Sequence, residues 1–180
     1  MKNFVGQKQI ALKSQDIVVA AKLAVAIDRN RLTFARLGAE LFMSASEVHG
    51  AVQRAMISNL VAREYGELTV NRSSLMELLI HGVRYVFPAV FGPIVRGVPT
   101  GISTSPLMQH FERSDALPIV WPHASGEVRG LSLVPLCPSV PSASLVDPKL
   151  HQMLALIDAL RGGAAREREL ASQELPRLFS

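Results

Sequence analysis

Small polar side chains and one histidine cluster in the segment that follows Ser44. On a helix that starts there, the outward positions of the first turns are Ala45, Ser46, His49, Gly50 and Gln53. Hydroxyl, imidazole and carboxamide groups donate and accept hydrogen bonds without a fixed charge. A solvated helix face usually carries charged residues, whereas short side chains allow a helix to lie deep in a groove. Residues of these types could contact base edges in the major groove of DNA.

The segment 33–58 has the pattern of two short helices joined by a tight turn. Thr33 is a good N-cap for the first helix, and Ser44 with Glu47 forms the capping box that marks the second. The apolar residues of the second helix repeat with helical spacing, at Val48, Ala51, Val52, Ala55 and Met56. The pattern predicts a helix-turn-helix, although an ordinary pair of packed helices would have a similar periodicity.

Basic residues flank this predicted surface and would contact phosphates rather than bases. The complete set of predicted DNA-binding residues is Thr33, Arg36, Ser44, Ala45, Ser46, His49, Gly50, Gln53, Arg54 and Arg63. Glycine inside a helix costs about 1 kcal/mol relative to alanine, so Gly50 should permit close approach to DNA or tight packing on a neighbouring helix. The turn carries Phe42 where glycine is usual. Because a positive φ strains a bulky residue, we expect this turn to be built differently.

Further local patterns surround these two helices. Ser14 caps a helix that runs to about Ala26 and is apolar on most sides, so we expect it to be buried. Residues 60–70 have short apolar ends around Tyr65-Gly66, which predicts a two-stranded hairpin with its tip there. Asn71 caps another helix, which ends before the first proline of the chain.

Three helices, a short hairpin and a further helix in this order resemble the winged helix-turn-helix of transcriptional regulators of the MarR-like type. The resemblance covers residues 14–70 and rests on the 33–58 pattern and the Leu41-Phe42-Met43-Ser44 turn. It implies a homodimer that binds double-stranded DNA at a short, roughly palindromic operator. It also implies that a ligand or a partner protein often releases the DNA.

Charge is unevenly distributed along the 180 residues. Residues 1–72 contain ten Lys or Arg and six Asp or Glu, whereas residues 73–180 contain nine of each class. All of the net positive charge therefore lies with the predicted DNA-binding helices, as a phosphate-binding surface requires. No apolar run approaches the roughly 18 residues of a membrane span, and the N-terminus lacks the pattern of a signal peptide. We therefore expect a cytoplasmic protein that does not bind membranes.

Proline divides the chain, because none of the eleven prolines precedes Pro88. The predicted segments are residues 1–87 with the winged helix-turn-helix, residues 88–146 as a Pro-rich, partly β wrap, and residues 147–180 as C-terminal helices. Within the wrap, 117–122 and 127–134 have the pattern of a hairpin whose turn lies near Ser125-Gly126.

The C-terminal segment begins with Asp147-Pro148, an N-cap followed by proline at the first helical position. Gly162-Gly163 ends this helix, and residues 164–174 form another. The first of the two helices has an apolar stripe, formed by Leu150, Met153, Leu154, Ile157 and Leu160. Since a palindromic operator needs a two-fold dimer, we expect the stripe or the following helix to pack across the two-fold axis. The alternative is that the stripe covers the core of its own chain.

The sequence carries no convergent set of catalytic residues. The five histidines lack metal-ligand spacing, and no serine lies in a nucleophile-elbow pattern. We predict neither an enzyme nor a bound metal or cofactor. Cys137, the single cysteine, should be buried and inert. The side chains of Arg84-Tyr85, Arg96 and Trp121 could line a pocket for an anionic or aromatic ligand, or they could be a buried aromatic with its arginine partner.

These observations predict a mainly α fold with a small β component. They favour a sequence-specific DNA-binding transcriptional regulator, a repressor that acts as a homodimer. Two alternatives remain open. An antitoxin-like interaction protein would bind a partner protein in a stable one-to-one complex and regulate its own operon. A ligand-responsive sensor would show a thermal shift with a small molecule.

Overall fold

A computed structural model describes residues 9–26, 32–111 and 117–179. These residues form a mainly helical protein with two small sheets, in agreement with the predicted class. No helix within these ranges is both long enough and apolar enough to span a membrane. In chain order the elements are α1 (Ser14–Val25), α2 (Phe34–Leu41), α3 (Ala45–Ile57), β1 (Val61–Glu64), β2 (Glu67–Val70), α4 (Arg72–Glu77), α5 (Val83–Val86), β3 (Phe91–Pro99), β4 (Ile119–Pro122), β5 (Val128–Leu133), α6 (Val140–Val146), α7 (Pro148–Gly162) and α8 (Ala165–Glu174).

Helix α1 packs against α3, α7 and β2. Every residue from Asp16 to Val25 is buried, as its apolar composition predicts. The start of the helix differs in one detail from the prediction. The Asp16 carboxylate accepts a hydrogen bond from the backbone N–H of Lys13 (2.8 Å), so Ser14 is the first helical residue and not the cap.

The helix predicted to begin after Asn71 is present. The Asn71 side chain accepts a hydrogen bond from the backbone N–H of Ser74 (3.2 Å). A π-helical turn, Leu78–Gly82, joins α4 to α5 in one continuous helical stretch that ends before Pro88. Proline cannot supply the N–H that a further helical turn needs, which accounts for the end of this helix.

One hydrophobic core includes residues from all three predicted segments, from Ile17 to Leu175. The stripe on α7 belongs to it, since each of its five residues is at most 2% exposed. Helices α1, α5, α6 and α8 cover these side chains. The prediction that the stripe packs across a two-fold axis is therefore wrong, because the stripe is already buried within its own chain. Helix α8 offers no apolar alternative, since its exposed side chains include Arg166, Glu169 and Gln173.

Strands β3, β4 and β5 close into a very small barrel. Strand β3 pairs antiparallel with both of the others, while β4 and β5 pair parallel with each other through Ile119 and Val120. The predicted hairpin between the segments 117–122 and 127–134 is therefore wrong. Gly126, expected in its turn, does not adopt the positive φ that tight hairpin turns favour. It packs instead against the backbone of Gly97, where a Cβ atom at Gly126 would overlap.

A fully buried carboxylate, Asp158, connects α7 to the barrel. Its Oδ2 atom accepts hydrogen bonds from Trp121 Nε1 (2.6 Å) and Thr100 Oγ1 (2.9 Å), and its Oδ1 atom accepts one from Arg161. The guanidinium of Arg161 also donates to the carbonyl oxygen of Phe87 (2.7 Å). This network satisfies the polar groups that are buried where α5, the barrel and α7 meet.

A second buried charge, Lys22, joins α2 to α7. Its Nζ atom lies 2.7 Å from Glu40 of α2 and 2.6 Å from Asp147, the N-cap of α7. Burial lowers the pKa of Lys22, but the hydrogen bonds and charges of the two carboxylates outweigh it and raise that pKa. Burial likewise opposes ionisation of Glu40 and Asp147, yet the hydrogen bonds that they accept, first of all from Lys22, lower the pKa of each.

These pKa shifts predict how the Lys22 cluster responds to pH. Carboxyl groups with a lowered pKa stabilise the fold fully when the pH is above their ordinary pKa, which is 4.5 for Glu40 and 3.8 for Asp147. This contribution is lost as the pH falls through the lowered values. Lys22→Met should cost on the order of 1–3 kcal/mol at neutral pH, between the values for exposed and buried ion pairs. The variant should also lose less stability than the unaltered protein between pH 7 and pH 3.

Urea unfolding at a series of pH values measures both effects. Lys149→Met, which removes an exposed lysine of α7, serves as the control and should leave the pH dependence unchanged. An equally steep acid limb in Lys22→Met and in the unaltered protein would show that the cluster does not stabilise the fold.

Candidate nucleic-acid interface

The caps predicted for α2 and α3 are confirmed. Thr33 Oγ1 accepts a hydrogen bond from the backbone N–H of Arg36 (3.2 Å). Ser44 Oγ accepts one from the N–H of Glu47 (3.2 Å), and the Glu47 carboxylate accepts from the N–H of Ser44 (2.8 Å). The backbone and hydroxyl hydrogen bonds from Ser44 lower the pKa of Glu47. Both helices therefore begin at the positions where the sequence predicts them.

The turn between α2 and α3 uses a left-handed residue. Phe42 has φ 55° and ψ 41°, and the N–H of Met43 donates to the carbonyl oxygen of Gly38 (2.9 Å). The expectation that Phe42 would force a different turn is therefore wrong. Gly38 allows the tight geometry, because a Cβ atom there would lie 2.6 Å from the carbonyl oxygen of Met43. The Phe42 side chain lies at the surface, 55% exposed.

Helix α3 has one fully buried face and one exposed polar face. Val48, Ala51, Val52 and Ala55 are buried against the core. Of the predicted base-reading positions, Gly50 is half-buried, and the exposed ones are Ala45, Ser46, His49 and Gln53. The His49 ring contacts the Phe34 ring edge-on, with the ring centroids 5.1 Å apart. The start of α3 thus presents hydrogen-bonding groups to solvent while its other face is fixed by packing.

Arg54 has a structural partner that the sequence did not indicate. Its guanidinium forms two hydrogen bonds with the Asp16 carboxylate, Nε to Oδ2 (2.8 Å) and Nη2 to Oδ1 (2.6 Å). The hydrogen bond with Asp16 raises the pKa of Arg54. Since Asp16 is completely buried, this pair anchors α3 to α1. The geometry therefore gives no support to Arg54 as a phosphate contact.

The same ion pair lies next to Gly50. A Cβ atom at this position would lie 3.3 Å from Nη1 of Arg54, a closer approach than most Cβ atoms make. Gly50 therefore leaves room for the guanidinium to reach across the helix toward Asp16. Because this neighbour belongs to the same helix, the structure gives no support to tight packing on a neighbouring helix, while close approach to DNA stays a prediction.

A two-stranded hairpin follows α3, with the predicted tip. Strands β1 and β2 pair antiparallel, and Tyr65 (φ 51°) and Gly66 (φ 88°) form the turn. Arg63 Nη1 donates to the carbonyl oxygen of Gly66 (2.9 Å) and remains exposed. Tyr65 is fully exposed at the tip, although it was not among the predicted contact residues. The hairpin exposes the side chains of Arg63, Glu64 and Tyr65, so it carries one cation and one anion beside the aromatic ring.

The described part of residues 1–72 is close to neutral. It contains six Lys or Arg and five Asp or Glu, because the other four basic residues and Asp28 lie outside the described residues. Three of the six, Lys22, Arg36 and Arg54, contact carboxylates. Arg36, whose Nε donates to Glu40 (2.9 Å), nevertheless remains exposed. The surface around α3 is therefore polar with few charges, rather than strongly basic.

The structure separates the residues that could have lined a ligand pocket. The guanidinium of Arg84 lies over the Tyr85 ring, 5.1 Å from its centroid. Trp121 is buried and bonded to Asp158, whereas Arg96 is exposed on β3. The single pocket considered in the sequence analysis is therefore not formed.

The described residues also limit the alternative chemistries. They contain no group of three His, Cys, Asp or Glu side chains that could hold a metal ion. Cys137 is buried, and burial raises the pKa of its thiol, which fits the inert role predicted for it. Comparison with protein-family models, with curated proteins and with solved structures found no match to this chain.

Proposed function

We propose that the protein is a non-enzymatic, sequence-specific DNA-binding regulator of transcription, a repressor that acts in the cytoplasm as a homodimer. The observation that carries this proposal is the start of α3. There Ser46, His49 and Gln53 are exposed together on a helix whose opposite face is fully buried. In helix-turn-helix proteins this part of the second helix enters the major groove.

The side-chain chemistry of α3 suits base reading. Gln53 can form paired hydrogen bonds with adenine, while Ser46 and His49 can bond to several base edges. The three residues lie three and four positions apart, so they share one helix face. Glu47 is the nearby carboxylate, and its hydrogen bonds to Ser44 hold it at the start of the helix. The three base-reading side chains carry no fixed charge, so their own burial against DNA has no penalty for desolvating a charge.

Neighbouring elements would supply phosphate contacts in a winged arrangement of the MarR-like type. Thr33 and Arg36 lie at the start of α2, which in such proteins crosses the DNA backbone. The β1–β2 hairpin would act as the wing, with Arg63 and Tyr65 at its tip. A dimer would need a surface other than the α7 stripe. Exposed apolar side chains before and at the start of the barrel are available for it, at Val86, Val90 and Phe91.

A second candidate is an interaction protein that binds a partner protein and regulates its own operon. The specific observation that favours it is the near-neutral charge around α3, because protein partners do not require the basic surface that DNA does. The two candidates differ in what the purified protein retains: a DNA duplex of defined sequence, or a one-to-one complex with another protein.

Alanine substitutions on α3 test the proposal. With DNA selected by the protein from a random library, Gln53→Ala or His49→Ala should cost roughly 1–3 kcal/mol of binding free energy. The preference for one base should be relaxed at a single position, because each side chain reads one base pair. Ser46→Ala should behave similarly. Fluorescence anisotropy with duplexes that differ at single positions measures both effects.

Gln173→Ala, at an exposed position of α8, is the matched control and should leave DNA affinity unchanged. Unchanged affinity in all three α3 variants would refute the assignment of α3 as the recognition helix.

A further inference from the structure

Two arginines lie directly opposite each other on the ribbon formed by β3 and β5. Arg96 is the register partner of Arg129, and both side chains are exposed. Residues directly opposite in an antiparallel ladder share one face, and like charges in such a pair destabilise the sheet. The pair therefore opposes the stability of the barrel that carries it.

Most of the other described arginines have partners that Arg96 and Arg129 lack, and the exposed Arg166 of α8 is an exception. Arg36, Arg54, Arg161 and Arg177 bond to carboxylates, and Arg63 and Arg168 donate to backbone carbonyl oxygens. Within the described ranges, no carboxylate lies at ion-pair distance from either arginine of the pair. Glu127, two residues before Arg129 on the same side of the ribbon, forms no ion pair with them.

The backbone beneath the pair is held rigidly. Gly97 follows Arg96, and a Cβ atom on Gly97 would overlap a carbonyl oxygen of β4. Gly130 follows Arg129, and a Cβ atom on Gly130 would overlap the carbonyl oxygen of the residue that precedes β4. The carbonyl oxygen of Arg96 also accepts a hydrogen bond from the N–H of His123 (3.3 Å). The two arginine side chains thus extend from opposite positions on a closely packed backbone.

We propose that Arg96 and Arg129 bind phosphate groups of the DNA backbone, as a contact separate from α3 and the hairpin. Guanidinium groups form paired hydrogen bonds with phosphate oxygens, and an anion between the two arginines would remove their mutual repulsion. The inference rests on the proposed function, because it takes DNA to be the source of the phosphate.

Contacts through α6 connect the barrel that carries the pair to α2. The His123 ring contacts the Ser142 hydroxyl on α6 (Nε2 to Oγ, 3.1 Å), and α6 packs against α2. The ribbon is therefore joined through one helix to the element that would cross the DNA backbone. Ile94 and Leu131, the neighbouring pair on the same face, are uncharged, whereas the exposed Glu127 lies two residues before Arg129.

Salt dependence of DNA binding tests the inference. We compare the unaltered protein with Arg96→Gln/Arg129→Gln on a library-selected duplex and on a duplex of unrelated sequence, between about 50 and 200 mM salt. The slope of log affinity against log salt should fall by about 0.9 for each lost contact. Two lost contacts per protomer are four per dimer, so the slope should fall by about 3.6 and binding at 0.1 M salt should weaken roughly 4,000-fold. Both duplexes should be affected alike, because phosphates carry no sequence information.

Two controls isolate the effect. Arg166→Gln removes an exposed arginine of α8 and should leave the slope unchanged. Arg96→Lys/Arg129→Lys retains the charge and should retain most of the slope. The melting temperature of the glutamine variant should be equal to or above that of the unaltered protein, because the like-charge contact is gone.

The possible outcomes separate the two proposals. If the unaltered protein binds DNA and the glutamine variant keeps the full slope, the inference is wrong while the proposed function stands. Inorganic phosphate could instead raise the melting temperature of the unaltered protein, but not of the glutamine variant, at constant ionic strength. If the slope for DNA binding is then the same in both proteins, the arginine pair binds a free anion and not DNA. If the glutamine variant loses binding to poly-glutamate while its slope for DNA binding is unchanged, the arginine pair binds an acidic protein. Absence of DNA binding by the unaltered protein would refute both proposals.

Discussion

Replacement of Asp158 by alanine is expected to lower the free energy of unfolding by about 3–5 kcal/mol, the range for breaking a buried ion pair. The substitution would leave the Arg161 guanidinium buried without its carboxylate. It would also remove the acceptor for Trp121 Nε1 and Thr100 Oγ1. Each buried donor left without a partner costs about 1–3 kcal/mol, although these costs overlap. Urea unfolding followed by circular dichroism measures the loss.

A double variant distinguishes charge from packing at this site. Asp158→Leu/Arg161→Met removes both charges and should recover part of the stability, because apolar replacements of buried ion pairs are often neutral. Glu169→Ala, at an exposed position of α8, should change the stability by less than about 0.5 kcal/mol. A loss below about 1 kcal/mol in Asp158→Ala would mean that the network does not hold α7 to the barrel.

Leu154→Ala is expected to cost about 2–5 kcal/mol, because it creates a cavity in the common core. Leu154 is 1% exposed and belongs to the α7 stripe. Leu145→Ala, at a half-exposed position of α6, is the control of equal size and should cost much less. Urea unfolding and light scattering are measured on the same samples. If the stripe were a dimer interface, Leu154→Ala would weaken the dimer and leave the stability of each protomer largely intact.

The elements that the sequence predicted correctly are specified by residues close together in the chain. Ser44 and Glu47 are three positions apart, and the Tyr65-Gly66 turn connects adjacent strands. Such short-range signals determine where α3 begins and where the hairpin turns, without reference to the rest of the fold.

The features that escaped prediction depend on residues far apart in the chain. Arg54 meets Asp16 across 38 positions, and Thr100 meets Asp158 across 58. No periodicity within one segment reveals such partners. The hairpin turn predicted at Ser125-Gly126 is wrong for the same reason. Gly126 packs against Gly97, which is distant in the chain, and does not form that turn. In the candidate site, the sequence identified the exposed face of α3, but it could not show that Arg54 is held by α1.

The burial of α1 between α3 and α7 has a consequence for biosynthesis. Lys22 and Asp147 are 125 positions apart, so α1 emerges from the ribosome long before the helix that covers it. At about 5–20 residues per second, that interval lasts roughly 6–25 seconds. During this time the apolar surface of α1 lacks the helix that covers it in the folded chain. The predicted DNA-binding helices therefore reach their final support only when synthesis of the chain is almost complete.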